Sequence, residues 1–173
     1  MDVIKTERLK LIPIELNHAA LLLPIWSDED VVKNTYIHSI HTVSDCEGRI
    51  KRILNIGPSR KEYVIFYGDI AVGVMGVSRE SSFEYGIYYH LARNYWGQGF
   101  ATEVAKTIID DIFTLPGVVR ISADTLTTNK ASSRVLEKVG MRFEGCLRMK
   151  FHRNGVFGDL NTYSILRSEY QCK

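Results

Sequence analysis

The segment NYWGQGFATEVAKTIIDDIF, Asn94 to Phe113, restricts the fold more than any other stretch of this 173-residue chain. Two glycines one residue apart, Gly97 and Gly99, open a run in which Ala101, Val104, Ala105, Ile108, Ile109, Ile112 and Phe113 share one helical face. A helix with one apolar stripe must lie on another element. The stretch just before it, FEYGIYYHL (Phe83–Leu91), has the aromatic and β-branched content of a strand. A strand, a glycine turn and a helix in that order predict a helix folded back onto a sheet.

The glycines carry a second constraint. A helix N-terminus presents unpaired N–H groups and the positive end of the macrodipole, and glycine lets the backbone turn to positive φ and come close to a ligand. The turn is therefore either a tight connection made for packing or a seat for phosphate. Two phosphate motifs are absent. There is no G-x-x-x-x-G-K-[ST], and Thr at position 102 breaks the G-x-G-x-x-G fingerprint of dinucleotide sites.

The remaining elements follow from periodicity and turn residues. RLKLIPI (Arg8–Ile14) alternates as a strand does. Asn17 to Asn34 is helical in pattern, interrupted at Pro24 and capped again near Ser27, which predicts two short helices. Thr42 to Ile56 reads as another helix, stopped by Gly57–Pro58. EYVIFY and IAVGVMGV flank Gly68–Asp69 as a hairpin. After the helix from about Gly99 to Thr114 come a strand, VVRISADTL, and a helix around Lys130–Val139 closed by Gly140. Strands near Met141–Phe151 and Phe157–Leu166 meet at RNGV, where Asn-Gly signals a hairpin. This order predicts an α/β (α+β) fold, a single domain over residues 1–173 with a mixed, mostly antiparallel sheet flanked by helices.

Composition narrows the partners. Net charge is +2 with Lys and Arg scattered among acids, so there is no clustered basic face for nucleic acid. No apolar run has the length to cross a bilayer. The opening MDVIKTERLKLIPIEL lacks the order of a signal peptide, and a cytoplasmic location is the expectation. Cys46, Cys146 and Cys172 form no C-x-x-C pair and read as reduced thiols. His38 and His41 have no acidic or cysteine set beside them, so no metal is expected.

A second segment, TTNKASSRVLEKVGMRFEG (Thr127–Gly145), places Asn129 as an N-cap and Ser132 at the third helical position. Val135, Leu136 and Val139 form its buried stripe and Gly140 its C-cap. Together with YWGQGFATE, this segment resembles the GNAT superfamily of acyl-CoA-dependent N-acyltransferases. The opening TERLKLIPI, the N-x-x-S at Asn129–Ser132 and the ending GVFGDLNTYSILRSEY are similar to the RimJ/RimL-like branch of ribosomal-protein N-terminal acetyltransferases. The family pattern Q/R-x-x-G-x-G/A falls on Asn94–Gly99, with Asn in the first place. The likeness spans nearly the whole chain and is loose between Asn17 and Ser59, where acceptor recognition usually resides.

The resemblance implies a GNAT-like fold with splayed central strands, acetyl-CoA as cosubstrate and direct acetyl transfer to a primary amine. It implies that main-chain groups near Ile87, Tyr88 and Tyr89 pair with the pantetheine arm. The amides of Tyr95, Trp96, Gly97, Gln98, Gly99, Phe100 and Ala101 would hold the pyrophosphate, with Thr102 in reach and Asn129 nearby. The Trp96 ring is either a cofactor contact or a packed rim residue. Ser132 is the matched position for protonating the leaving thiolate, or else an ordinary first-turn serine; Ser133 and Tyr163 are lesser candidates. Glu84 stands where many relatives place a carboxylate base, its pKa lifted by partial burial; equally, it is a sheet-surface glutamate paired with a cation. A base matters little for a protein N-terminus, whose amine has a pKa near ~8 against ~10.4 for lysine. Asp110 and Asp111 point to different helix faces and are no catalytic pair.

Three readings of the partner stay open: a protein N-terminal amine, a small amine such as an antibiotic, polyamine or amino acid, and an acyl-CoA-binding module without turnover. A homodimer is also left open. SDED (Ser27–Asp30) is the one cluster that would draw a cationic amine, and a helix N-terminal turn explains it as well.

Overall fold

A computed structural model of the chain describes residues 3–38 and 40–171; Cys172 lies outside them. The strands are β1 (Ile4–Lys5), β2 (Leu9–Pro13), β3 (Arg60–Tyr67), β4 (Ile70–Arg79), β5 (Glu84–Leu91), β6 (Arg120–Leu126), β7 (Arg142–Arg153) and β8 (Val156–Leu166). They form one sheet in the order β1-β2-β3-β4-β5-β6-β8-β7, parallel at β5–β6 and antiparallel at the other pairs. The helices are α1 (Ala19–Trp26), α2 (Glu29–Val32), α3 (Val43–Asn55), α4 (Phe100–Thr114), α5 (Lys130–Lys138) and α6 (Arg167–Gln171). This is the mixed, helix-flanked sheet expected from the order of elements.

Local chemistry accounts for the boundaries. Asn154 (φ 50°) and Gly155 (φ 78°) turn β7 into β8 with both central residues at positive φ, as a two-residue hairpin with the strand twist requires. Thr42 and Asp45 form a reciprocal capping box at the start of α3. One boundary differs from expectation. Pro24 does not interrupt its helix but sits inside α1, which runs on to Trp26. The missing N–H costs one bond in the ladder, and α1 still buries Leu22, Ile25 and Trp26. The break comes at Ser27, after which Asp28 caps α2 by accepting from the Asp30 N–H at 3.0 Å. β1 and α6 were not anticipated.

Alternation along the central strands gives the sheet two different faces. Tyr63, Ile65, Met75, Val77, Ile87 and Leu91 pack with Val104, Ala105, Ile108, Ile112 and Leu136 of α4 and α5. Val64, Phe66 and Val74 pack on the opposite side with Leu22, Ile25, Trp26, Ile50 and Ile53 of α1 and α3. Between these cores the sheet opens. β5 and β6 are in register only at Glu84↔Arg120, Tyr85↔Ile121 and Gly86↔Ser122. Beyond Gly86 the two strands part, while β5 stays paired to β4 as far as Leu91 and β6 to β8 as far as Leu126.

Candidate active site

The gap between β5 and β6 is the centre of a cleft of about 1100 Å³. The glycine turn closes one end of it. After Leu91 the chain makes a short 3-10 turn, Arg93–Tyr95, and Trp96 anchors the connection by donating from Nε1 to the Leu91 carbonyl at 2.8 Å. Gly97 (φ 74°) and Gly99 (φ 82°) both occupy the left-handed region, so the chain can enter α4 at Phe100 without side-chain strain. Gly99 is the N-cap and no side chain caps the helix. The first helical N–H with a partner is that of Glu103, bonded to the Gly99 carbonyl at 3.0 Å. Among the described residues nothing accepts from the amides of Gly97 through Thr102. Glu103 carries a negative charge in that first turn, but Arg8 pairs with it at 2.6 Å and Thr6 bonds it at 2.5 Å. What faces the cleft is a row of unsatisfied donors at the positive end of a 15-residue helix.

α5 borders the same cleft. Asn129 caps it by accepting from the Ser132 N–H at 3.2 Å. The Ser132 hydroxyl lies 3.1 Å from the Tyr89 hydroxyl, which joins α5 to the free edge of β5. Burial pushes the Tyr89 hydroxyl up to about 12, against the opposing pull of its bond to Ser132, so it keeps its proton at neutral pH. Arg134 and Lys138, one turn apart on α5, also line the cleft.

The other side of the cleft belongs to the α1–α3 face. Gly76 stands between Glu62 and Tyr88 in register, and a Cβ there would fall 1.9 Å from the Tyr88 ring. The ring therefore lies flat across β4, and its hydroxyl donates to Glu62 Oε1 at 2.5 Å. Arg60 donates from Nε to the Tyr88 hydroxyl at 2.8 Å and from Nη2 to Glu62 at 2.9 Å. Burial, reinforced by the Glu62 charge, raises the pKa of Tyr88. His90 is buried and accepts from the Trp26 indole at 2.8 Å; burial, then the nearby Arg49 charge, lowers its pKa to about 3, so the ring is neutral.

Of the residues singled out in the sequence, Glu84, Ile87, Tyr88, Tyr89, Tyr95, Trp96, Gly97, Gly99, Phe100, Ala101, Thr102, Asn129 and Ser132 all line this cleft. Gln98 does not: its side chain folds back onto the Asn94 carbonyl at 2.9 Å, and Arg8 takes its own carbonyl at 3.1 Å. Phe100 contributes main chain only, since its ring is in the core. Tyr88 sends its side chain to the face opposite Ile87 and Tyr89. Tyr163 packs in the core against Phe143, away from the cleft lining, and Ser133 is buried with its hydroxyl unpartnered. Glu84 is held by Arg120 at 2.9 Å, the surface pairing that stood beside the base role. Arg120 also makes a two-pronged pair with Glu144, holding that carboxyl down near about 2. The SDED acids are likewise taken: Glu29 by Arg153, and Asp30 by Lys33 and Arg93. Sequence reasoning missed Arg134 and Lys138, whose i, i+4 spacing on α5 was visible, and the Arg49–Arg60–Glu62 group, which no local pattern marks.

No three His, Cys, Asp or Glu residues among those described are placed to hold a metal ion. None of the described helices is long and apolar enough to cross a membrane.

Comparison with known proteins agrees with this geometry. Residues 8–142 match the model of the acetyltransferase (GNAT) domain. An uncharacterized N-acetyltransferase, p20, of Bacillus licheniformis is 31% identical, the match covering 98% of this chain and 99% of p20. A GNAT-family acetyltransferase of Bacillus anthracis superposes with a TM-score of 0.83 at 27% identity, over 96% of this chain and 99% of that one. The ribosomal-protein α-N-acetyltransferase RimL, solved with coenzyme A, has the same fold at a TM-score of 0.85 and 17% identity, over 95% and 98% of the chains.

Proposed function

The chain belongs to the GNAT acetyltransferase family and is an acetyl-CoA-dependent N-acetyltransferase; from that premise we propose that its acceptor is the α-amine of a protein N-terminus. The observation that carries this reading is the pairing of Glu84 with Arg120. At the place where a relative would keep a base, this carboxylate is engaged, which suits the amine that needs least help. An α-amine has a pKa near ~8 and is partly neutral at physiological pH, whereas a lysine-type amine at ~10.4 is almost wholly charged. The likeness of fold to RimL supports the same choice. A polycation is disfavoured, because Glu29 and Asp30 already hold arginines and a lysine.

Acetyl-CoA supplies the acetyl group as an activated thioester. In our reading the amides from Gly97 to Thr102 bind its diphosphate through the helix N-terminus, with Arg134 and Lys138 beside them. The unpaired edge of β5 near Ile87–Tyr89 orients the pantetheine arm as a neighbouring strand would, and one of its N–H groups polarises the thioester carbonyl. Asn129 fixes the first turn of α5 and so aims Ser132. Ser132 hands a proton to the departing sulfur, with Tyr89 hydrogen-bonded behind it as the reserve of protons. The amine's proton leaves to solvent at the cleft mouth, where Glu84 stays paired with Arg120.

The test has two parts. Acetyl-CoA at about 100 times its Kd raises unfolding stability by ~2.7 kcal/mol; no thermal shift at saturation overturns the cofactor assignment. Free-thiol release is then measured with short N-terminal peptides, polyamines and lysine side-chain analogues. Peptides with a free α-amine are expected to turn over fastest. Turnover confined to polyamines or lysine analogues overturns the acceptor assignment.

A further inference from the structure

The floor of the cleft on the α1–α3 face holds a charge imbalance that acetyl transfer does not use. Glu62 has a fully buried side chain and is one carboxylate among two guanidiniums, Arg60 at 2.9 Å and Arg49 at 3.6 Å. Tyr88 and His90, which complete the floor, are neutral. Arg60 is fixed: it bonds Glu62 and Tyr88 and stacks 4.8 Å over the Tyr88 ring. Arg49 is different. Its side chain is only 17% exposed and lies 5.0 Å over Trp26, yet its guanidinium forms no hydrogen bond to any described residue, and its Nε is buried without an acceptor.

A guanidinium carries five donors, and a buried one left without an acceptor is unfavourable. None of the acids lining the cleft bonds Arg49: Asp30 is held by Lys33 and Arg93 and Glu84 by Arg120, Glu80 accepts from Ser78, and Asp124 of β6 makes no ion pair with it. Glu62 meets it only at 3.6 Å, with Oε2 buried and without a donor. Water would satisfy the donors but leave the surplus positive charge. A carboxylate supplies both the charge and the paired acceptors that match a guanidinium fork.

We propose that Arg49 and Arg60 form a carboxylate subsite for the acceptor, so that the amine acetylated by this enzyme carries an acid group close behind it. The carboxylate comes from one of two sources: an acidic side chain next to a peptide's terminal residue, or the α-carboxylate of a free amino acid. The inference rests on the reading of this cleft as the acetyl-acceptor site.

Calorimetric titration of the coenzyme A-saturated enzyme with matched pairs tests it. One pair is the dipeptide amides Ser-Asp and Ser-Asn; the other is serine and serinamide. The carboxylate member of one pair is expected to bind about 10- to 100-fold tighter, the range of one or two charge-assisted bonds, and the discriminating pair identifies the source. Arg49→Met should bring that ratio towards one, and Arg60→Met should lower it in part. A thermal shift with acetyl-CoA reports whether each variant is folded, and the wild-type ratios decide the question if either is not. Affinities within twofold in both pairs, or no binding by either carboxylate, overturn the subsite while leaving acetyl transfer intact. Failure of acetyl-CoA itself to bind overturns both readings.

Discussion

The two faces of the sheet build their halves of the cleft from different material. On the α4–α5 side the unpaired polar groups are main-chain amides from Gly97 to Thr102 and the open edge of β5, and the side chains nearby serve mainly to pack or anchor. On the α1–α3 side the polar groups are side chains from separate elements: Arg49 of α3, Arg60 and Glu62 of β3, and Tyr88 and His90 of β5. A main-chain site depends on backbone shape, so a few glycines control it. A side-chain site depends on residue identity at scattered positions, so it can change acceptor without disturbing the cofactor seat.

The sharpest way to break this division is Gly99→Val. Gly99 sits at φ 82°, where an L-residue costs about 1–2 kcal/mol, and a Cβ there would come 3.4 Å from Arg8 Nη2, so a branched side chain would disturb the turn that carries the amides. Acetyl-CoA affinity by calorimetry should fall at least ~100-fold, about 2.7 kcal/mol, with the circular dichroism of the fold retained. Normal affinity would mean that the turn is only a connection.

Gly76→Ala probes the other face. Its methyl would displace the Tyr88 ring, an overpacking that costs ~1–3 kcal/mol of stability. Acceptor kcat/KM should drop ~10-fold or more while the Kd of acetyl-CoA stays within twofold. If both constants move together, the faces do not work independently. Ser132→Ala and Tyr89→Phe test the contact between α5 and the free edge of β5. Each should lower kcat by about 10-fold, and the double variant should be little worse than either, because the pair shares one proton path.

His90 provides a stability measurement confined to the α1–α3 face. Its folded pKa of about 3 lies below the unfolded value near 6.5, so the unfolded chain binds more protons between those limits. Its contribution is whole above ~6.5 and is lost as pH falls towards ~3, by about 1 kcal/mol near pH 6. Thermal unfolding should show this loss, and His90→Gln should flatten it over that window. Glu84→Gln is expected to have the smallest effect, a change in kcat of less than ~3-fold, since Arg120 already restrains the carboxylate. A large loss would restore Glu84 as the principal base.

The same contrast decides what could be read in advance. Gly97 and Gly99 at the mouth of an amphipathic run, and Asn154–Gly155 between two strands, are local signals whose backbone meaning is fixed by sterics. The hairpins, the helices and the glycine turn at the cleft were legible for that reason. Pro24 misled because a proline's cost is local while the packing of Leu22, Ile25 and Trp26 that outweighs it is tertiary. Gln98 shows the limit of a motif position, which says nothing about rotamer: its side-chain amide found the Asn94 carbonyl one turn back, while its main-chain N–H stays without an acceptor among the described residues. Arg49, Arg60 and Glu62 carried no signal: their meeting depends on the register that lines Glu62, Gly76 and Tyr88 across three strands.

The tip of the last hairpin has a consequence for how the chain is made. Arg153 is 7% exposed and donates to the Ile37 carbonyl at 2.7 Å and to both oxygens of Glu29, while His38 meets Asn154 at 2.8 Å. These links join positions at least 116 residues apart. During vectorial synthesis the segment around Glu29 and Ile37 therefore gains these partners only after the β7–β8 turn has emerged, more than a hundred residues later.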